Sequence, residues 1–199
     1  LNILLSAIDK YVNDFIPVQH ILGYTYFYGY KIKVSKDVLI PRCETEELVG
    51  YVLEYYDEIF KGNEVNVCDI GTGSGAISIA LAKEEPSMSL FATDISKSAL
   101  SIAKENALIN NTNITFFEGD LLNPLIESNI KFDILVSNPP YISTNDEVDP
   151  LVIKNEPHLA LFADNEGMDC YDRILKDAHK ILNTPNIIVF EHGYKQKDL

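Results

Sequence analysis

The sequence predicts an α/β fold, a mostly parallel twisted sheet with helices on both faces. Three observations predict it. From residue 65 onward, short apolar runs alternate with segments of helical period, and βαβα alternation implies a parallel sheet. A glycine-rich turn, Gly71 to Gly75, lies where the first of these strands gives way to a helix. The run 132–137 is apolar and bounded by turn residues, as a buried strand is. With 199 residues the chain is long enough for one such domain with a sizeable core.

Taken in order, residues 1–16 place Leu1, Leu4, Leu5, Ile8, Tyr11, Val12 and Phe15 at helical spacing, and Pro17 stops the helix. Residues 1–22 are read as a linker helix, the remnant of an amino-terminal helical domain. Residues 23–199 form the domain proper. Between 23 and 40 the period changes to two: Tyr24, Tyr26, Tyr28, Tyr30, Ile32 and Val34 alternate strictly, a β-hairpin with one aromatic face. A helix is expected after Glu44 and Thr45, either of which can cap it, with Gly62-Asn63 at its end. Strands follow at 65–70, 89–93, 114–118, 132–137 and 187–191. Helices are expected at 76–83, 98–109 and 171–182. The polar loop 143–168, with Pro150 and Pro157, has the length of a functional or mobile loop.

Bulk composition narrows the function. The net charge is −14, and the 16 Lys and Arg form no cluster of five or more, so a grip on a nucleic-acid backbone is disfavoured. No apolar stretch approaches the ~18 residues of a membrane span. Cys43, Cys68 and Cys170 match no zinc spacing, and no metal site is expected. Free thiols and the lack of a secretory signal point to the cytoplasm. The chain opens on Leu1 without Met and reads as part of a longer protein.

The glycine turn lets a ligand approach the main chain closely. Asp94 ends the next strand about twenty residues on, where an acid can accept both ribose hydroxyls. Gly71-x-Gly73-x-x-Ala76 also fits a dinucleotide site. Two acids favour S-adenosylmethionine instead. Asp69, two residues before the first glycine, is placed to meet the cofactor's ammonium, and Asp120 to reach the adenine amine.

The stretch Asn138-Pro139-Pro140-Tyr141 follows the strand 132–137. Two prolines cannot continue a sheet ladder, and each restrains the residue before it. The Asn138 side-chain oxygen and the Pro139 carbonyl are thereby two acceptors in nearly fixed relation, with the Tyr141 ring beside them. A planar –NH₂ group is the natural guest. Arg42 stands at the mouth of a neighbouring turn.

With these residues the chain resembles the release factor glutamine methyltransferases. The resemblance runs from about residue 17 to the end. It rests on Leu39-Ile40-Pro41-Arg42-x-x-Thr45-Glu46, Asp69-Ile70-Gly71-Thr72-Gly73-Ser74-Gly75, Ser137-Asn138-Pro139-Pro140-Tyr141-Ile142, Glu156-Pro157 and Glu191-His192-Gly193. Asn-Pro-Pro-Tyr alone is shared with adenine-amino DNA methyltransferases. The resemblance implies a Rossmann-like class I methyltransferase fold and methylation of the glutamine amide in the Gly-Gly-Gln loop of peptide chain release factors. It implies that Gly71, Thr72, Gly73, Ser74, Gly75, Asp94 and Asn138 contact S-adenosylmethionine, with Leu121, the residue after Asp120, beside the adenine. Asn138, Pro139, Pro140 and Tyr141 would hold the glutamine, with Arg42 in the pocket, and Asn138, Pro139 and Tyr141 would carry the chemistry. Cys43 stands where proline is common, and the chain ends before the final pair of strands that family members usually carry. A monomer acting on a protein substrate is expected. The alternatives are an adenine-N6 methyltransferase of nucleic acid, an NAD-dependent oxidoreductase, which gives Asn-Pro-Pro-Tyr no task, and a non-catalytic cofactor-binding scaffold.

Overall fold

A computed structural model of the chain describes residues 2–196. The chain begins with α1 (Asn2–Val12) and α2 (Val18–Leu22), then the hairpin β1 (Tyr24–Phe27) and β2 (Tyr30–Lys33). A long helix α3 (Glu44–Ile59) leads into β3 (Val65–Ile70), α4 (Ala76–Glu84), β4 (Met88–Asp94), α5 (Lys97–Ile109) and β5 (Ile114–Glu118). Next come α6 (Asn123–Ser128), β6 (Phe132–Ser137), β7 (Ile142–Ser143), α7 (Pro150–Asn155), β8 (Phe162–Ala163), α8 (Asp169–Ala178) and β9 (Leu182–Phe190). No helix among the described residues is long and apolar enough to cross a membrane.

Five strands form the main sheet in the order β5-β4-β3-β6-β9, all parallel. Successive residues of β3 point to opposite faces. Val65 and Val67 meet α3, α4 and α5 through Val49, Val52, Ile79 and Ile102. Cys68 and Ile70 meet Leu125 of α6 and Ile174 and Ala178 of α8 on the other face. The sheet is thus sandwiched between two helical layers, as expected. Its order reverses between β3 and β6, and in such open sheets ligands bind outside the strands' carboxyl ends at that reversal.

Four details depart from the sequence reading, each for a physical reason. The expected helix 1–16 stops at Val12, and Phe15 has φ of 56°. Its apolar stripe stays largely exposed: none of α1 is buried, and Ile3 is 88% exposed. Pro17 begins the next helix as its N-cap rather than ending the first. The tyrosines of the hairpin do not share one face. A two-residue turn with φ of 51° at Tyr28 and 81° at Gly29 pairs Phe27 with Tyr30, so even-numbered positions change face across it. Tyr24 and Tyr26 pack edge to face on the outside, while Phe27, Ile32 and Val34 enter the core. Thr45 does not cap α3; its hydroxyl is used elsewhere. The last helix ends at Ala178, and β9 begins at Leu182 with a register shift ahead of Ile187. Pro185 lies within that irregular stretch of a strand paired only to β6 among the described residues, the kind of position that tolerates a missing N–H.

Candidate active site

A cavity of about 360 Å³ opens at the carboxyl ends of β3, β4, β5 and β6. Its floor is the glycine turn, with Gly71, Thr72, Gly73 and Ser74 in the wall. Gly73 has φ of 56°, and its N–H donates to Asp94 Oδ2 with an N···O distance of 2.8 Å. The Ser96 N–H donates to Asp94 Oδ1 at 2.8 Å. Two backbone donors therefore fix the carboxylate, and each oxygen keeps a lone pair for a ligand hydroxyl. Burial raises the Asp94 pKa, partly offset by those N–H groups. Gly75, outside the wall, serves packing: a Cβ there would lie 3.1 Å from the Ala103 Cβ of α5. Asn106 of α5, fully buried, ties the turn to the hairpin. Its Nδ2 donates to Ser74 O and Lys33 O, and its Oδ1 accepts from Lys33 N.

Asp69 lies beneath the turn and is not part of the cavity wall. Its Oδ2 accepts from the Thr72 and Ser78 hydroxyls at 2.7 Å each, and its Oδ1 has no partner among the described residues. The structure thus makes Asp69 an anchor of the loop. Burial pushes its pKa from an ordinary 3.8 up to about 6. The fold therefore favours the protonated acid. This contribution is complete below about pH 4 and is lost as pH rises through about 6. Asp69→Asn, neutral throughout, should gain about 3 kcal/mol relative to the parent between pH 4 and pH 7, read by urea unfolding at a series of pH values.

At the far end of the cavity stand Gly119, Asp120 and Leu121, the last with φ of 48°. Asp120, expected to face an adenine amine, also forms an ion pair with Arg173 of α8, and both line the cavity. Arg173 holds a second contact to Asp169 at 3.5 Å.

Asn138 borders this cavity and a second one of about 190 Å³, which Arg42, Pro139, Tyr141 and Glu191 also line. Pro140 lines the first. The Asn138 Nδ2 donates to Thr45 Oγ1 at 3.1 Å, and no donor among the described residues reaches its Oδ1. Thr45 donates to Glu191 Oε2 at 2.6 Å, and the Tyr141 hydroxyl donates to Glu191 Oε1 at 3.3 Å. Burial and the nearby Glu191 charge raise the Tyr141 pKa, so the phenol stays protonated at neutral pH. Arg42 pairs with Glu156 Oε1 at 2.6 Å, and Glu156 Oε2 accepts the Ile40 N–H at 3.1 Å. That clamp holds the segment before α3 against the long loop, whose Pro157, Leu159 and Ala160 close one side of the first cavity.

The sequence reading missed Thr45 as the partner of Asn138, Glu191 as the acceptor for Thr45, and Phe27 and Val38 as cavity wall. The motif blocks that contain Thr45 and Glu191 were visible. Their meeting was not, because they lie 146 residues apart.

S-adenosylmethionine fits this chemistry. The first cavity has the volume of a small-molecule site. It offers main-chain atoms along a glycine turn, a fixed carboxylate at mid-wall and a second acid at the far end. The fold and these groups together define an S-adenosylmethionine-dependent methyltransferase. A family model described as the methyltransferase small domain matches residues 55–160. The fold is similar to the ribosomal protein L11 methylase of Lactobacillus delbrueckii subsp. bulgaricus, with a TM-score of 0.54, 23% identity and 78% of this chain and 64% of that one covered. A methyltransferase from Pyrococcus furiosus gives a TM-score of 0.55 at 17% identity over 95% of this chain and 76% of that one. The release factor glutamine methyltransferase of Bacillus anthracis is 42% identical over 95% of this chain and 67% of its own length. That of Streptococcus pneumoniae is 49% identical over 90% of this chain and 63% of its own. The chain therefore spans about two thirds of the length of these relatives. It belongs to the release factor glutamine methyltransferase family.

Proposed function

We propose that this chain transfers a methyl group from S-adenosylmethionine to the side-chain amide nitrogen of the glutamine in the Gly-Gly-Gln loop of a peptide chain release factor. The observation that carries the reading is Asn138, which stands in the wall shared by two cavities with its Oδ1 meeting no donor among the described residues. The first cavity takes the cofactor, which supplies an electrophilic methyl on a sulfonium sulfur. The second takes the flat end of the glutamine.

An amide nitrogen is a poor nucleophile because its lone pair is delocalised into the carbonyl. The protein's main task is therefore alignment. Asn138 Oδ1 and the Pro139 carbonyl accept the two amide hydrogens and turn the nitrogen's π face toward the first cavity. Holding reactants at near-attack distance is worth about 7–11 kcal/mol. The same two carbonyl dipoles favour the positive charge that develops on nitrogen as its bond to carbon forms and the carbon–sulfur bond breaks. The spare proton then leaves to water. Tyr141, held by Glu191, flanks the amide plane.

The test is transfer of radiolabelled methyl from S-adenosylmethionine to a purified release factor by the full-length protein. Label should appear in the release factor and vanish when the loop glutamine is changed to asparagine. Label that persists in the asparagine variant, or that goes to duplex DNA instead, overturns the reading.

A further inference from the structure

The reading above needs the oxygen of the Asn138 amide, not its nitrogen, to face the substrate. The two ends of an amide are nearly alike in shape, and only hydrogen bonding decides which points where. We propose that Thr45 and Glu191 form a relay that sets the orientation of Asn138, and that Thr45 is a positioning residue for methyl transfer. The inference rests on the proposed function for its readout but on separate geometry for its logic.

The relay follows from counting hydrogens. An ionised carboxylate only accepts. Glu191 accepts the Thr45 hydroxyl at Oε2, 2.6 Å away, and the Tyr141 hydroxyl at Oε1, 3.3 Å away. Thr45 has a single hydroxyl hydrogen, and it is committed to Glu191. All it can offer Asn138 is a lone pair. The Asn138 group that meets it at 3.1 Å must therefore be the –NH₂. This turns Oδ1 the other way, toward where a guest amide sits. If the Asn138 amide were reversed, its oxygen would face an oxygen with no hydrogen left to give, and its –NH₂ would face the substrate's –NH₂, donor against donor. Thr45 is 4% exposed at the start of α3, so little water is available to substitute for it. The same carboxylate accepts from Tyr141, so one group steadies both side chains that flank the substrate.

Thr45→Val keeps the shape of the side chain and removes the hydroxyl. In the full-length protein it should lower kcat for release-factor methylation by about tenfold or more, since small misplacements of a positioning group cost up to 10²-fold. Thr45 also borders the first cavity, so affinity for S-adenosylmethionine, measured by calorimetry, should fall far less than kcat. Thr45→Ser, which restores the hydroxyl, should recover most of the activity. A Thr45→Val protein with parental kcat overturns the proposal, as does a Thr45→Ser protein as impaired as Thr45→Val. If Thr45→Val does not fold, the parental protein decides by NMR: the Asn138 Nδ2 protons should show cross-relaxation to the Thr45 side chain, and its absence refutes the relay. A parental enzyme that methylates no glutamine would defeat the proposed function while leaving this NMR result to stand or fall by itself.

Discussion

Asn138→Ala should lower kcat for release-factor methylation by about 10²- to 10³-fold, the range seen when one preorganised dipole is removed from a transition state. Affinity for S-adenosylmethionine should change little. The cofactor cavity is built mainly by the glycine turn, Asp94 and the 119–121 corner, and Asn138 touches only its edge. In the proposed mechanism the removed oxygen is one of two acceptors that turn the glutamine nitrogen toward the methyl, so the loss should fall on the chemical step. Single-turnover methylation together with calorimetric titration of the cofactor would separate the two effects. Turnover near the parental rate would remove Asn138 from the mechanism.

Arg42→Ala should destabilise the protein by about 3 kcal/mol, the lower part of the range for breaking a buried pair. The side chain of Glu156 is only 1% exposed, and without Arg42 its carboxylate keeps just the Ile40 N–H among the hydrogen bonds of the described residues. Arg42 itself is 35% exposed, which lets water soften the loss. For a chain of this size the expected fall in Tm is roughly 10 °C. Lys33 and Glu105 make the control: they pair with side chains 46% and 49% exposed, and Lys33→Ala should cost at most about 1 kcal/mol. Scanning calorimetry on the two variants distinguishes a clamp from an ornament of the surface. Equal Tm shifts would show that Glu156 finds other partners.

The parts of the fold that local chemistry dictates were legible in the sequence. The strands of the main sheet are apolar runs set between turn residues, and the glycine turn and the Asn-Pro-Pro-Tyr turn declare themselves because each needs residues that few other structures tolerate. What escaped were relations between distant segments. Asp69 looked like a ligand-binding acid from its place before the glycines, yet it turns inward because Thr72 and Ser78 offer it hydroxyls beneath the loop. Thr45 looked like a cap because it begins a helix, and only the approach of Glu191 gives its hydroxyl another acceptor. The hairpin tyrosines kept perfect period two, but the two-residue turn reversed which parity faces inward. Helix α6 is six residues long, too short for a periodic signal to emerge.

The side chain of Asn106 is spent wholly on main chain, bridging Lys33 and Ser74 from the buried face of α5. Segments cross-linked in this way open together, as one cooperative block of local unfolding. The hairpin is therefore no free flap beside the catalytic crevice. Its amide at residue 33 should exchange with deuterium in step with those of the cofactor turn, and damage to either segment should loosen both.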